Sequence, residues 1–159
     1  MMELTGSAKD YLKAIYIIGK EKRVVRVKDV AKYLNIKMPS VVAMTNKMLE
    51  EKLVEHEYYG HIDLTQKGHQ EAKKIYKLHQ ILVDFLNKIL GVSKDIAEED
   101  ANKIEHDLNP VTMEYMMKLI QFTYSENIET PDWISDFRYF VKYGRRPDGT
   151  KIPFKSFDL

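Results

Sequence analysis

A mainly α protein, with an N-terminal winged helix-turn-helix followed by an all-helical second part, is the fold class that three features of this sequence predict. Two short helical patterns, Val27 to Leu34 and Pro39 to Lys52, flank the turn residues Asn35-Ile36-Lys37-Met38, the layout of a helix-turn-helix. Directly after them, Leu53 to Thr65 alternates on either side of Tyr59-Gly60, the pattern of a β-hairpin. From Gly68 to Gly144 apolar residues recur at helical spacing, punctuated by glycine, serine and proline.

Composition narrows the class. A chain of 159 residues, 44% hydrophobic, can bury a core but is short for two large independent domains. The boundaries read as 1–72 for the winged helix, 73–144 for the helical domain and 145–159 for a tail. No apolar run is long enough to span a bilayer, and Met1 to Gly6 lacks a signal-peptide core, so a cytoplasmic protein with no membrane partner is expected. The absence of cysteine excludes disulfides, thiolate zinc sites, iron–sulfur clusters and cysteine nucleophiles. Any metal must be held by oxygen and nitrogen. Residues 1–75 carry 14 Lys and Arg against 10 Asp and Glu, and the remainder 11 against 14. A mildly basic front half suits a polyanionic partner.

Taken in order, Ser7 opens an amphipathic helix to Lys20, with Tyr11, Leu12, Ile15 and Ile18 inward. Asp10 falls where a carboxylate favours a helix N-terminus. Val24 to Val27 suits a small strand. In the helix-turn-helix, Asn35 can adopt the left-handed conformation that ends a helix, and Pro39 fits an opening turn. Along the second helix Val42, Thr45, Met48 and Leu49 form an inward stripe. Ser40, Ala43, Asn46 and Lys47 face outward, small and polar as entry into a major groove requires. His56 and His61 belong to the wing, at surface or phosphate-side positions.

Gly68 to Leu90 reads as one long helix carrying His79 and ended by Gly91. Ser93 caps the next, to about Leu108, which contains the polar ridge Asn102-Lys103-Ile104-Glu105-His106-Asp107. At helical spacing Asn102, Glu105 and His106 share a face. An imidazole beside a carboxylate, with an amide one turn earlier, is half of a divalent-metal site if other segments complete it; the commoner meaning of a Glu-His pair is a solvated helix face. Asn109-Pro110 caps a methionine-rich helix to Tyr124, suited to core or dimer packing. Thr130-Pro131 starts a last helix with Trp133, Ile134, Phe137, Phe140 and Val141 on one side, ended by Gly144. Arg145 to Leu159 reads as extended chain.

Five stretches in this order carry a resemblance: Asp10-Tyr11-Leu12-Lys13-Ala14-Ile15-Tyr16; Pro39-Ser40-Val41 leading to Leu53-Val54; Leu64-Thr65-Gln66-Lys67-Gly68; His79; and Ile104-Glu105-His106. Over about residues 5–125 the chain resembles the diphtheria toxin repressor family, especially its manganese-responsive branch. The resemblance implies a homodimeric, metal-activated transcriptional repressor that binds double-stranded operator DNA through the winged helix and dimerises through the helices that follow. Asp10, His79, Glu105 and His106 match metal-binding positions. Aspartate at position 10, where iron-responsive members carry methionine, implies Mn2+ ahead of Fe2+, in keeping with carboxylate and imidazole donors.

Departures from the family pattern sharpen the expectation. Asn102 stands where the family usually has glutamate or cysteine, offering a neutral amide oxygen in its place. Lys13 replaces a carboxylate of a second, adjacent metal site. Glu98 takes the place of an accessory histidine. Lys37 replaces a serine-type helix cap and Lys52 a glycine, both at a local cost. At DNA, Ser40, Ala43, Asn46 and Lys47 are expected at base edges, with Arg26, Lys28, Lys37, Tyr59 and His61 among the remaining contacts. The alternative is a winged-helix DNA binder whose degenerate metal site needs no metal. Catalysis and a small-molecule substrate are not expected, since the sequence has no His-Glu-x-x-His motif, phosphate loop or serine elbow.

Overall fold

The computed structural model describes residues 5–56, 61–124 and 131–150. It divides into two compact units, 1–78 and 79–159. Among the described residues there are seven α-helices, one π-helical turn and one two-stranded sheet, the winged helix followed by helices that the sequence predicts.

In the first unit, α1 (Gly6–Glu21) is capped by Thr5, whose hydroxyl accepts from the Ala8 amide. The cap thus lies two residues before the predicted Ser7. Tyr11, Leu12, Ile15 and Ile18 are buried as expected. The Val24–Val27 run does not form a full strand: it contributes one antiparallel bridge, Arg26 to His61, with the Ile62 amide donating to the Val25 carbonyl. Val27 already belongs to α2 (Val27–Tyr33). Asp29 anchors the start of α2, accepting from the Arg26 amide at 3.1 Å and from the Lys22 ammonium at 2.6 Å. Asn35 takes the left-handed conformation, φ 53°, and α3 (Met38–Glu50) opens with Pro39 in its first turn.

The inward stripe of α3 is Val41, Thr45 and Met48. This corrects the sequence reading for Val42, which is 44% exposed. Three- and four-residue steps from Met48 return to Val41, and the Thr45 hydroxyl is satisfied inside the helix by the Val41 carbonyl at 2.9 Å.

Lys52 lies in the left-handed region, φ 58°, as expected of a residue standing in for glycine. It turns the chain into β1 (Val54–His56), which pairs with β2 (Ile62–Leu64) in the register Val54↔Leu64, Glu55↔Asp63, His56↔Ile62. The hairpin turn, with Tyr59 and Gly60, lies outside the described residues. Thr65 then joins the wing to α4 (Gln66–Asp84). Its hydroxyl accepts from the Gly68 amide at 2.9 Å and donates to the Lys52 carbonyl at 2.8 Å, while its own amide donates to the Leu53 carbonyl at 3.1 Å. Gly68 makes this possible, because a Cβ there would lie 1.8 Å from the Leu53 oxygen.

In the second unit the long predicted helix changes character: after Asp84 the chain widens into a π turn, Phe85–Ile89, with Leu90 N–H bonding to the Phe85 carbonyl. The Lys88 carbonyl accepts from the Tyr124 hydroxyl and the Arg138 guanidinium, acceptor chemistry that such a widened turn exposes. Gly91 ends it at φ 76°. Three helices follow, α5 (Lys94–Ile104), α6 (Pro110–Thr123) and α7 (Asp132–Tyr143). Leu82, Val83, Ala97, Ala101 and Met113 make the core. Trp133 and Val141 are exposed and Ile134 alone of the predicted α7 stripe is fully buried, so that helix does not bury one continuous face. The predicted extended tail contains a tight turn, with Gly149 N–H on the Arg146 carbonyl and Arg146 N–H on that of Thr150. Residues 151–159 lie outside the described ones.

Two stability predictions follow from the first unit. Gly68→Ala forces backbone apart and is expected to cost about 2–3 kcal/mol in urea unfolding; a loss equal to that of the exposed control Gln66→Ala shows that the contact is unimportant. Asp29 is held below the usual carboxylate range, first by the Lys22 hydrogen bond and then by the Arg26 amide. Its contribution is therefore complete above the ordinary carboxylate pKa and is lost as pH falls through the depressed value. Asp29→Asn is expected to cost about 0.5–1 kcal/mol at neutral pH, with wild type and variant converging in acid.

Candidate metal centre and DNA-facing surface

In the second unit the metal-binding expectation meets a definite cluster. His79 is contributed by α4 and is buried. Its Nδ1 lies 2.8 Å from Glu105 Oε2 and its Nε2 lies 2.8 Å from Glu98 Oε2. A neutral imidazole donates through one nitrogen only, so both short contacts are donated together when the ring carries its second proton. Glu105 is as buried as His79, each side chain 5% exposed, whereas Glu98 is 39% exposed. Glu105 also presents Oε1 at 3.6 Å to Nε2 of His106. Two imidazoles and two carboxylates are thus chained together.

The ridge that suggested this cluster is built differently from the sequence reading. α5 ends at Ile104, and Glu105 to Asp107 form a turn; the predicted helix to Leu108 stops one turn early. Pro110 keeps Asn109 extended, with ψ 139° and its side chain capping α6, but does not account for the helix ending as early as Ile104. Asn102 remains in the last turn of α5 and is exposed, while the turn carries Glu105 inward. Asp10, half-buried, lies on α1 in the first unit, as does Lys13, which is buried.

All donors in the cluster are nitrogen or carboxylate oxygen, a set that fits a divalent cation of the manganese or ferrous type. In apolar surroundings two carboxylates are costly unless paired with cations or donors. His79 supplies one such partner in the arrangement seen.

The DNA-facing expectation rests on α3. Ser40, Ala43, Asn46 and Lys47 are all exposed on it, and so is Val42, which sequence reasoning placed inside. No sequence signal separates the two valines, since Val41 and Val42 stand four and three residues before Thr45, both same-face steps on a helix. Lys37 is the N-cap residue and makes no side-chain cap hydrogen bond, as expected from its replacement of a serine-type cap. Arg26 and Lys28 are exposed at the start of α2, and His61 is half-buried beside Arg26. Tyr59 lies outside the described residues.

Comparisons with known proteins bear on both surfaces. Residues 3–62 match the family profile for the iron dependent repressor N-terminal DNA binding domain. Residues 65–133 match that for the iron dependent repressor metal binding and dimerisation domain. The chain is 39% identical over 112 residues to an uncharacterized HTH-type transcriptional regulator of Methanocaldococcus jannaschii, covering 70% of this chain and 90% of the relative. It is 30% identical over 128 residues to the HTH-type transcriptional regulator MntR of Bacillus subtilis, covering 80% and 89%. Among solved structures, IdeR of T. acidophilum matches with a TM-score of 0.67 at 22% identity, over 97% of this chain and 65% of that one, a likeness of fold. The manganese regulator SloR matches with a TM-score of 0.64 at 29% identity, over 75% and 55%. The chain therefore spans a little under two thirds of the first of these structures and about half of the second.

The cluster makes its own prediction in metal-free protein. Glu105→Ala removes an acceptor from a buried imidazole and is expected to cost about 1–3 kcal/mol in urea unfolding with chelator present. Glu98→Ala should cost less, because water reaches its position; equal losses contradict the burial difference.

Proposed function

Because the chain belongs to the iron-dependent repressor family, the diphtheria toxin repressor family of the sequence resemblance, we propose that it is a transcriptional repressor whose homodimer binds operator DNA when loaded with a divalent cation, manganese ahead of ferrous iron. The observation that carries this reading is His79 held between Glu98 and Glu105 with His106 adjoining. Following the resemblance, Asp10 joins His79, Glu105 and His106 as a donor, with Asn102 offering its amide oxygen and Glu98 serving an ancillary role. The cation supplies positive charge that carboxylates and neutral imidazoles bind together.

The chain's own groups do the rest. His79 would hold the cation through a ring nitrogen that has lost its proton to solvent, and Glu105 would offer a carboxylate oxygen beside it. At DNA, α3 enters the major groove. Ser40, Asn46 and Lys47 meet base edges by hydrogen bonding, and Ala43 with Val42 offers methyl groups to thymine. Arg26, Lys28, Lys37, Tyr59 and His61 contact the backbone. The protein works as a cytoplasmic regulator, not as a catalyst.

Fluorescence anisotropy on a duplex enriched from random DNA tests this. Manganese is expected to tighten binding by about 5- to 150-fold over chelator, and the duplex to tighten manganese binding by the same factor. His79→Ala and Glu105→Gln should lose that enhancement while keeping weak binding in chelator. Equal affinity with metal and with chelator sinks the metal-dependent reading.

A further inference from the structure

Exposed apolar surface in the first unit is concentrated in one stretch. Among the described residues its exposed large apolar side chains are Tyr33, Ile36, Met38, Val42 and Leu78, and all but Leu78 belong to the end of α2, the turn and the start of α3. Lys28, Lys32, Lys37 and Lys47, from the same helix-turn-helix, are exposed as well. Apolar side chains left in water among cations suit a partner that carries both negative charge and apolar groups. DNA carries phosphates on its backbone and thymine methyls in its major groove, and residues 3–62 match a DNA binding domain.

Met38 is the first residue of α3 and Val42 lies one turn on, 55% and 44% exposed. Residues four apart share a helix face, so the two form one row, continued by exposed Asn46. Exposed Pro39, Ala43 and Lys47 make the row beside it. Both rows are apolar in the first half of the helix and polar in the second. Within that first half Ser40 has the one exposed hydrogen-bonding side chain. The N-terminal residues of a recognition helix are those that meet base edges. Here they offer the bases one hydroxyl and otherwise methyl, methylene and thioether groups.

We infer that Met38 and Val42 act as a pair of specificity-determining residues, selecting operator sites by the 5-methyl groups of thymine under the first half of α3. The inference rests on the reading of α3 as the helix that enters the major groove, and it assigns a role to Met38 and a chemical basis to the choice of site. The 5-methyl is the apolar group that base pairs present in that groove, whereas cytosine and adenine present amino donors there. A methionine or valine laid over such a donor leaves it desolvated and unpaired, so the same side chains favour thymine and disfavour the alternatives. Valine holds a fixed shape, and unbranched methionine adapts its contact to the base beneath it.

Anisotropy titrations of the full-length protein test this on the duplex enriched from random DNA, synthesised once with thymidine and once with deoxyuridine at every thymine position. The two duplexes carry the same hydrogen-bonding groups and differ in the methyls alone. One buried methyl is worth about fourfold in affinity, so wild type is expected to bind the thymidine duplex tighter by about tenfold or more when two methyls are covered. Met38→Ala combined with Val42→Ala should bring that ratio to about twofold or less, with each single variant in between. A methyl-dependent ratio that is the same in chelator as in manganese supports the inference even where metal dependence fails. Equal binding of both duplexes by wild type, with manganese dependence intact, overturns the inference and leaves the metal-dependent reading standing. A ratio that the double variant leaves unchanged traces the loss to DNA shape and overturns it. Absence of binding to any duplex overturns both.

Discussion

The winged helix depends on a single close approach, that of α4's first turn to the backbone of Leu53. The Leu53 oxygen occupies the space that a side chain at position 68 would need, so glycine is compulsory there for steric reasons. Around that contact the Thr65 hydroxyl serves two elements at once, capping α4 and closing the turn after α3, while Lys67 reaches the Glu51 carbonyl at 3.0 Å. The end of α3, both wing strands and the start of α4 are thereby tied at one point. Lys52 bears a strain of about 1 kcal/mol for its left-handed backbone, and the same position sets a cation at the C-terminal end of α3, where the helix dipole favours it.

The second unit is organised by charge instead. Glu105 and His79 are both deeply buried, a pairing whose partners are each expensive alone. Removing one partner leaves the other buried and unpaired, which is the costlier state. Its donors are those a divalent cation prefers, so the coordination proposed above would draw on residues that also pack together without metal.

Elements defined by local chemistry were legible in the sequence. Asn35, Pro39, Asn109-Pro110 and Gly144 each name a backbone conformation that few other residues favour, and the helix-turn-helix and helix ends follow from them, while the alternation of the flanking residues gives the paired strands 54–56 and 62–64. Glu105 and His106 were legible as a polar break in apolar sequence. Their placement in a turn was not, because the helical period continues past Ile104 and no glycine or proline next to Glu105 and His106 marks the end of α5. Glu98 has no local signature at all among the other carboxylates of α5, and only the family resemblance singled it out. Val41 and Val42 are chemically identical, so composition could not choose between them; packing of Thr45 and Met48 did. The exposure of Trp133 and Val141 depends on which neighbours cover α7, information that periodicity does not hold.

The π turn at Phe85–Ile89 bears on how this protein can vary. A π turn holds one residue more than the α-helical turn it replaces, so side chains within it depart from the phase of the α-helix before it. The π turn closes the helix: His79 and Leu82 keep the α-helical phase, the last turn is held by Tyr124 and Arg138 at the Lys88 carbonyl, and Gly91, at φ 76°, turns the chain away. Substitutions that repack this last turn therefore need not turn the histidine two turns earlier.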